Sequence, residues 1–551
     1  MHRKHKQLKI VSNWLPALSY VVAVVLVIIA LQMRLHDLGL PFDRDGYDEG
    51  VYWQSLRAMA AGHALYQQIF YSQPPFFLLS IFPTYMLAGQ TLWAARLGIA
   101  LVSLLGLLGA FLLGRALAGH MGAIAALALL VADPFYLAQS QTIQAEIACT
   151  ALSLLAVGLA YLWWEHPEGV LGLCYAVFAA TALSLSILSK LFGVAVLVPL
   201  SLLFLAHIWR ILQQPRETRL QSARSLIAGP IAFLVVSMAL ILPFSGSQHQ
   251  MVQGVITFHT DAAKLFKDTI SQNFLSILHL LTSITAFAAL FGTIVALARR
   301  DWRVFPLIAW LLATLYLLLQ QSPLFHHHLI VLIPPLLSLA IMGIQGFPGL
   351  SHSAATCRTP DPDVLREEVW CGRSPAPHLF SLFLRWGRVA ADALFPQNGN
   401  FSAILITSAT AISVCVLLFA AVQNWQSEQR YFSEQRQQAT NSIHLNQQVV
   451  QDLQANTAPS QLVVTDDQFV VGLANRSTPA SLVDTSIVRI TTGYVTVSRL
   501  ISAASQPEVQ AVLFYTGRLN RQDMTSFHTW VTHHFRLVKR YISGGELWSK
   551  V

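Results

Sequence analysis

Residues 97–138 read LGIALVSLLGLLGAFLLGRALAGHMGAIAALALLVADPFYLA, and this stretch decides the fold class of the chain. Only Arg115, His120 and Asp133 in it carry, or can readily acquire, a charge near neutral pH. The two apolar runs on either side of Arg115 are each close to the length that an α-helix needs to cross a bilayer core of roughly 30 Å. We therefore predict two membrane-spanning helices joined by a short polar turn.

The composition of the whole chain also indicates a membrane protein. Of its 551 residues, 54% are hydrophobic and 11% are charged, whereas a soluble protein carries about 25% charged residues. Soluble, disordered, collagenous and disulfide-stapled classes are excluded. The net charge of +8 fits cytoplasmic loops that face anionic lipid, so we predict a lipid bilayer and no nucleic acid as a partner.

Similar runs recur along the chain and predict an all-α polytopic membrane protein of about 11 to 13 transmembrane helices. The number depends on two segments. Residues 76–88 are short and are interrupted by Pro83, and the two runs that flank Lys190 can form one bent unit or two spans. The predicted spans are residues 15–33, 97–113, 121–138, 143–164, 169–189, 191–209, 226–244, 275–298, 304–320, 328–345 and 403–422.

The positions of Lys and Arg predict the orientation, because these residues accumulate in short cytoplasmic loops. If residues 76–88 do not cross the membrane, all the basic segments fall on the cytoplasmic side. These segments are the N-terminus and the turns at Arg115, residues 210–224 and residues 299–303. We expect a plasma-membrane protein with a cytoplasmic N-terminus, a retained signal anchor and an extracytoplasmic C-terminal domain. The expected units are an anchor helix (1–34), a first external loop with juxtamembrane helices (35–96), a transmembrane core (97–346), a polar cytoplasmic loop (347–402), a last transmembrane helix (403–422) and a small α/β domain (423–551).

The first external loop concentrates carboxylates in a chain that is otherwise poor in acid. Asp48 and Glu49 fall in the first turn of a predicted amphipathic helix at the membrane interface. One of them can be an N-cap that complements the helix dipole. The functional alternative is a carboxylate with a pKa adjusted for proton abstraction. The other acids of the loop are Asp37, Asp43 and Asp45.

Further ionisable residues stand at the ends of apolar runs on the predicted outer side. Such groups are costly near lipid and usually face a cavity or a partner, although a snorkelling side chain or an ion pair explains each one alone. Three adjacent histidines suggest a metal, but neighbouring helical residues point in different directions, so at most two could share one. We predict no certain cofactor and leave a divalent cation open. The residues are Arg96, Glu146, Lys190, His326, His327 and His328.

The C-terminal part of the chain has the composition of a small soluble α/β domain. QLVVTDD (461–467) and AVLFYTG (511–517) are predicted buried strands, and residues 521–534 are a predicted amphipathic helix. Asp466, Asp467 and the Asp484-Thr485-Ser486 run could bind an acceptor or a cation. Such clusters more often cap helices and close turns.

Residues 43–100, DRDGYDEGVYWQSLRAMAAGHALYQQIFYSQPPFFLLSIFPTYMLAGQTLWAARLGIA, resemble the first external loop of glycosyltransferase family 39, the protein O-mannosyltransferases and their bacterial relatives. An Asp-Glu pair, an amphipathic helix, a Pro-Pro corner and an Arg that opens the next span follow in the same order there. The similarity continues through SQTIQAE (140–146), ILSKLFGVAVLVP (187–199) and SPLFHHHLIVLIPPL (322–336).

This resemblance implies the membrane GT-C fold and a role for each matching residue. Asp48 would be the catalytic base with Glu49 beside it. The positions that would line the donor pocket are Arg96, Glu146, Lys190, His326, His327 and His328, and we take Tyr71 and Gln73 of the YSQPPFF corner with them as substrate-binding residues.

The resemblance also implies the reaction, an inverting transfer of a sugar from a polyprenyl-phosphate donor to a hydroxyl-bearing acceptor outside the cell. The acceptor could be protein, lipid or cell-wall glycan, and mannose is one candidate sugar. Ser72-Gln73 replaces the Glu-Lys that aminoarabinose transferases carry before Pro-Pro, and residues 245–273 are too few for the β-rich insertion of eukaryotic members. The bacterial RgtA/B/C/D-like group remains.

Other classes account for part of the pattern. A multi-span transporter or a flippase for lipid-linked sugars would also have embedded charges, but transporters usually show repeated halves and broken helices near the midplane. A sensor or scaffold that presents the C-terminal domain would not need the acid-rich loop.

Overall fold

A computed structural model describes residues 2–41, 46–213, 216–266, 270–344 and 399–550 of the chain. Asp43, Asp45 and most of the predicted polar loop 347–402 lie outside these residues. The described part is largely helical, with one small sheet near the C-terminus. The predicted fold class, an all-α membrane protein with a small C-terminal α/β domain, is confirmed.

The described helices before the C-terminal domain are numbered in chain order. They are α1 (His2–Leu35), α2 (Gly46–Ala60), α3 (Phe76–Leu87), α4 (Leu92–Val131), α5 (Pro134–Gln139), α6 (Ala145–Glu165), α7 (Gly169–Ser189), α8 (Leu197–Gln213), α9 (Arg216–Ile241), α10 (Gln248–Val252), α11 (Phe258–Leu265), α12 (Ile270–Leu281), α13 (Ile284–Ala298), α14 (Val304–Gln320), α15 (Ile333–Ile341) and α16 (Gly399–Asn456).

By length and composition, 8 described helices could cross a membrane, or up to 9 if α12 and α13 are one span bent by 81°. The predicted number was higher for two reasons. The run in α14 is apolar but falls among the shorter helices, and the 40-residue element α4 contains both spans predicted within residues 97–138.

That element, α4, is in fact a helical hairpin. Ala118 and Gly119 have non-helical backbone angles, and Gly119 has φ +66°. A Cβ on Gly114 would lie 2.3 Å from the carbonyl oxygen of Gly122, an approach that a straight helix with a 1.5 Å rise per residue forbids. The chain therefore reverses at Gly119, which needs a glycine for its backbone angles.

Two segments are more extensively helical than the sequence predicts. Helical turns continue from α9 through Leu242–Ser247, α10 and Gln253–Thr257 to α11, where residues 245–273 were expected to be an external loop. The expected last span, residues 403–422, is the start of the 58-residue helix α16. Polar residues after position 423 did not end this helix because its outer part packs against the rest of the protein.

The C-terminal domain contains a four-stranded sheet and four short helices. The strands are β1 (Leu462–Thr465), β2 (Val509–Phe514), β3 (Phe535–Arg540) and β4 (Glu546–Lys550), and the helices are α17 (Gln468–Leu473), α18 (Ile487–Thr491), α19 (Val497–Ala504) and α20 (Thr525–His534). The strand order is β1-β2-β4-β3, with β1 parallel to β2 and the other pairs antiparallel. Both predicted strands and the predicted helix are present.

Helix α2 lies between the membrane helices and this domain. Gln54 donates hydrogen bonds to the carbonyls of Gln468 and Arg476 at 3.2 Å and accepts one from the Thr478 N–H. A Cβ on Gly50 would lie 2.5 Å from the backbone nitrogen of Phe469. The helix predicted to lie at the membrane interface is therefore a buried connector.

Candidate active site

The first turn of α2 places two adjacent carboxylates in different surroundings. The side chain of Asp48 is 38% exposed, whereas that of Glu49 is 2% exposed. Consecutive residues of a helix point in directions about 100° apart. One carboxylate therefore faces a cavity and the other faces the packed interior.

Glu49 is bound by Arg96 in a buried, two-pronged ion pair. Arg96 Nε donates to Glu49 Oε1 at 2.7 Å and Nη2 donates to Oε2 at 2.6 Å. Glu49 Oε1 also accepts the Ile143 N–H at 2.9 Å, and Arg96 Nη1 donates to the carbonyls of Leu38 and Leu40. This arrangement ties the first loop to α4 and α6.

The sequence placed Glu49 in the catalytic pair and Arg96 in the donor pocket, and the geometry differs from both expectations. Neither residue lines the cavity that Asp48 faces. The guanidinium of Arg96 is fully buried and directed at Glu49. Their contacts fix the position of the first turn of α2, and a role for either residue in the reaction stays a prediction.

The cavity beside Asp48 has a volume of about 730 Å³ and lies between the membrane helices and the C-terminal domain. Its walls differ in character. One wall is apolar, with Leu191, Phe192, Phe258, Leu317 and Phe325. The other walls are polar and include Tyr47, Asp48, Ser72, Gln73, Lys190, His259, Gln320, Gln321, His326, His327, His328, Asp484, Ser486 and Arg518.

Four residues from distant parts of the chain form a charged cluster beside Asp48. His327 Nε2 lies 3.6 Å from Asp48 Oδ2 and 3.4 Å from Glu146 Oε1. His328 Nε2 lies 3.4 Å from the same Glu146 oxygen, and Lys190 donates a hydrogen bond to it. The structure thus brings Glu146, Lys190 and the histidine turn together, with Lys190 and the histidines lining the cavity and Glu146 buried beside them.

Lys190 and the histidines lie where helices begin or end, and this directs their side chains toward the cavity. Lys190 is an extended residue between α7 and the 3-10 helix Leu191–Val196, so its side chain leaves the end of a span rather than its face. The histidines begin the 3-10 helix His326–Leu332, in which His327 and His328 are buried and His326 is exposed.

The environment of Asp48 favours a proton acceptor. Burial between the walls raises the pKa of the Asp48 carboxyl above its ordinary value; His327 lowers the pKa and Glu146 raises it. A carboxylate with a raised pKa is a stronger base than a free one. Asp48 is therefore suited to accept a proton from a hydroxyl in the cavity.

Of the two residues taken from the YSQPPFF corner, only Gln73 lines the cavity. Its carbonyl accepts a hydrogen bond from the Tyr66 hydroxyl at 2.8 Å. Tyr71 is 2% exposed and packs against the rings of Tyr52 and Tyr66. The structure corrects Tyr71 to a packing residue behind the cavity wall.

Glu146, His327 and His328 are close enough together to hold a divalent cation, since their ligand atoms lie within 4.8 Å of one another. The ammonium group of Lys190 already neutralises the Glu146 carboxylate. A dication would compete with that charge at short range. We therefore treat the cluster as an ion-pair network.

The sequence did not single out Tyr47 or Arg518, and it favoured a capping role for Asp484. The Tyr47 hydroxyl donates to Asp484 Oδ1 at 3.0 Å and accepts the Thr485 N–H at 2.7 Å. The guanidinium of Arg518 lies 4.0 Å from the centre of the Tyr47 ring. Only docking of the C-terminal domain on α2 brings Asp484 and Arg518 to Tyr47 and Asp48, and no local pattern encodes that docking.

Comparison with known proteins supports the resemblance from the Pro-Pro corner of the first loop into the membrane core. The family model "Dolichyl-phosphate-mannose-protein mannosyltransferase" matches residues 72–244. No curated protein matches the chain.

Solved structures give the fold of the whole chain. The chain is similar to ArnT from Cupriavidus metallidurans in the apo state, with a TM-score of 0.60, 15% identity, and coverage of 97% of this chain and 98% of that one. It is also similar to the same protein bound to undecaprenyl phosphate, with a TM-score of 0.59, 18% identity and 98% of both chains covered. The predicted resemblance and the GT-C fold are confirmed, and the family model supports the predicted enzyme class, a glycosyltransferase that uses a lipid-linked sugar.

Proposed function

We propose that the protein transfers a sugar, with mannose as one candidate, from a polyprenyl-phosphate donor to an extracytoplasmic hydroxyl, with Asp48 as the general base. The observation that supports this most is the position of Asp48. It is a half-open carboxylate with a raised pKa on a large cavity between apolar helices and a polar domain. ArnT from Cupriavidus metallidurans, which shares the fold, has been solved with undecaprenyl phosphate.

The cavity walls suit the two halves of such a donor. Leu191, Phe192 and Leu317 form an apolar side that continues into the membrane helices, where an isoprenoid chain can remain in lipid. Lys190 and His326 line the same cavity. An ammonium group has three donor hydrogens, so Lys190 can bind Glu146 and a phosphate oxygen together.

The proposed reaction needs one base and no general acid. The acceptor hydroxyl gives its proton to Asp48 while its oxygen attacks the anomeric carbon, and the bond from that carbon to the phosphate oxygen breaks. The phosphate leaves as an anion that Lys190 stabilises. Attack opposite the leaving group inverts the configuration at the anomeric carbon.

The same proposal fixes the orientation in the plasma membrane. Sugar carried on a polyprenyl phosphate is a donor for reactions outside the cytoplasm, so the cavity and the C-terminal domain face outward. The N-terminus, with its basic residues, then lies inside. The basic turn between α13 and α14, with Arg299, Arg300 and Arg303, lies on the inner side with it.

Replacement of Asp48 by Asn tests this function. In nanodiscs supplied with undecaprenyl phosphate carrying radiolabelled sugar, we expect Asp48→Asn to lower transfer by about 100- to 10,000-fold, the usual contribution of a general base. The matched control is Asp523→Asn, because Asp523 pairs with Arg521 at the surface of the C-terminal domain. Undiminished transfer by a folded Asp48→Asn protein would refute the assignment.

A further inference from the structure

The C-terminal domain contributes one wall of the cavity, and the membrane helices contribute most of the apolar lining. Asp484, Ser486 and Arg518 line it, and Tyr47 lies between this wall and Asp48. A molecule that brings a hydroxyl to Asp48 while the lipid-linked donor occupies the apolar side must contact this wall. The wall is therefore positioned to select the acceptor.

Asp484 offers a hydrogen-bond acceptor at this wall. Its Oδ1 atom accepts from the Tyr47 hydroxyl at 3.0 Å and from the Ser486 N–H at 2.8 Å. Within the described ranges, Asp484 Oδ2 accepts no hydrogen bond from the protein. Burial and the charge of Asp484 hold the pKa of Tyr47 well above its ordinary value, so Tyr47 keeps its proton and fixes the carboxylate.

Arg518 offers donors beside that carboxylate. Its Nη1 donates to the Asp466 carbonyl at 3.2 Å, and its guanidinium stacks on the Tyr47 ring. Its Nε and Nη2 groups bind no protein acceptor in the part of the chain that the structure describes. A rigid carboxylate and a rigid guanidinium therefore flank one aromatic ring, and each has capacity left for a ligand.

The charges around this wall balance. Among the lining residues, Asp48 and Asp484 are the acids and Arg518 and Lys190 are the cations, and Lys190 is already paired with Glu146. An anionic acceptor would meet two carboxylates with no surplus positive charge. A neutral acceptor would avoid that repulsion.

An extended peptide would find fewer hydrogen-bonding partners at this wall. The edge of β1 that does not pair with β2 is occupied, because the Val463 N–H donates to the Ser477 carbonyl and Leu462 bridges to Ser477. Strand addition, which gives peptides main-chain hydrogen bonds, is therefore blocked at β1. Neighbouring hydroxyls on a sugar ring match the wall better, because one can donate to Asp484 and the other can accept from Arg518.

On these grounds we infer that the acceptor is a neutral carbohydrate, whose neighbouring hydroxyls are bound by Asp484 and Arg518 of the C-terminal domain. This inference rests on the proposed function for the site, but it concerns binding and can be tested without transfer.

The test is binding of the full-length protein in fluorescent nanodiscs to a printed array. The array carries neutral oligosaccharides, phosphorylated and uronic acid oligosaccharides, and unmodified Ser/Thr peptides. We expect binding to a subset of the neutral oligosaccharides. Asp484→Asn and, independently, Arg518→Lys should each reduce that signal at least about 10-fold, as expected for loss of 1.4 kcal/mol or more, while Asp523→Asn retains it. Melting temperatures confirm that each variant is folded.

The outcomes separate this inference from the proposed function. Binding confined to anionic oligosaccharides or to peptides, no binding to any spot, or neutral binding that folded Asp484→Asn and Arg518→Lys proteins retain would each overturn the inference. None of these results bears on Asp48. Loss of neutral binding in both variants supports the inference even if Asp48→Asn transfers sugar normally.

Discussion

Asp48 and Glu49 are neighbours in the chain, yet they occupy two regions of opposite character. Around Glu49, both carboxylate oxygens have donors, and Arg96 is matched to them with good geometry. Around Asp48, the carboxylate is partly open and its pKa is raised. A closed ion pair holds structure, whereas an incompletely bound carboxylate retains capacity for a ligand or a proton.

Breaking the closed pair should have the largest effect on stability. Arg96→Met leaves Glu49 charged and buried, which typically costs about 3–5 kcal/mol. We expect little folded protein by fluorescence-detected size-exclusion chromatography after mild heating. His63→Gln, an exposed change beyond the end of α2, should behave like the wild type. Equal thermal stability of the Arg96→Met and His63→Gln proteins would contradict the structural role of the pair.

Weakening the same pair should separate stability from chemistry. Glu49→Gln keeps the shape and loses the charge, and the lost charge-assisted hydrogen bonds cost about 2 kcal/mol. We expect a lower melting temperature but transfer per folded molecule within about 3-fold of the wild type, since Glu49 does not face the cavity. A 100-fold loss of transfer in a fully folded Glu49→Gln protein would place Glu49 back in the chemistry.

Loosening the contact between α2 and the C-terminal domain should have a smaller effect on stability. Gly50→Ala puts a methyl group into the backbone of Phe469, and overpacking of this kind costs about 1–3 kcal/mol. We expect faster proteolysis of the C-terminal domain and slower transfer. The matched control is Gly246→Ala, because a Cβ there meets no atom within 4 Å. Indistinguishable proteolysis rates would show that the domain does not dock as described.

The smallest expected effect is a shift in pH dependence. Transfer requires ionised Asp48, so the rate should fall as the pH drops through the raised pKa of Asp48. His327 lowers that pKa, so His327→Gln should move the acid limb of the kcat profile to higher pH, while His63→Gln leaves it in place. A shift to lower pH in the His327→Gln protein would contradict the proposed electrostatics.

The sequence predicted those features that the bilayer imposes. A span needs about 20 apolar residues, so most spans, and the ionisable residues at their ends, could be located from composition alone. Lys190, Glu146 and the histidine turn were recognisable because charge is costly beside lipid. The reversal at Gly119 was predicted as a turn between two spans, because its two arms are each close to span length.

The sequence could not show which carboxylate faces the cavity. That choice depends on Arg96 and on the Ile143 N–H, which contact Glu49 from other elements. The acceptor wall was also beyond reach, because Asp484 meets Tyr47 across 437 positions of the chain. Such contacts depend on packing of whole units, for which local periodicity carries no signal.

A structure of the protein with undecaprenyl phosphate bound would test the central claim most directly. We expect phosphate density in the cavity, within hydrogen-bond distance of Lys190, with space beside Asp48 for an anomeric carbon and an acceptor hydroxyl. Phosphate density outside this cavity, with Asp48 separated from it by protein, would contradict the account.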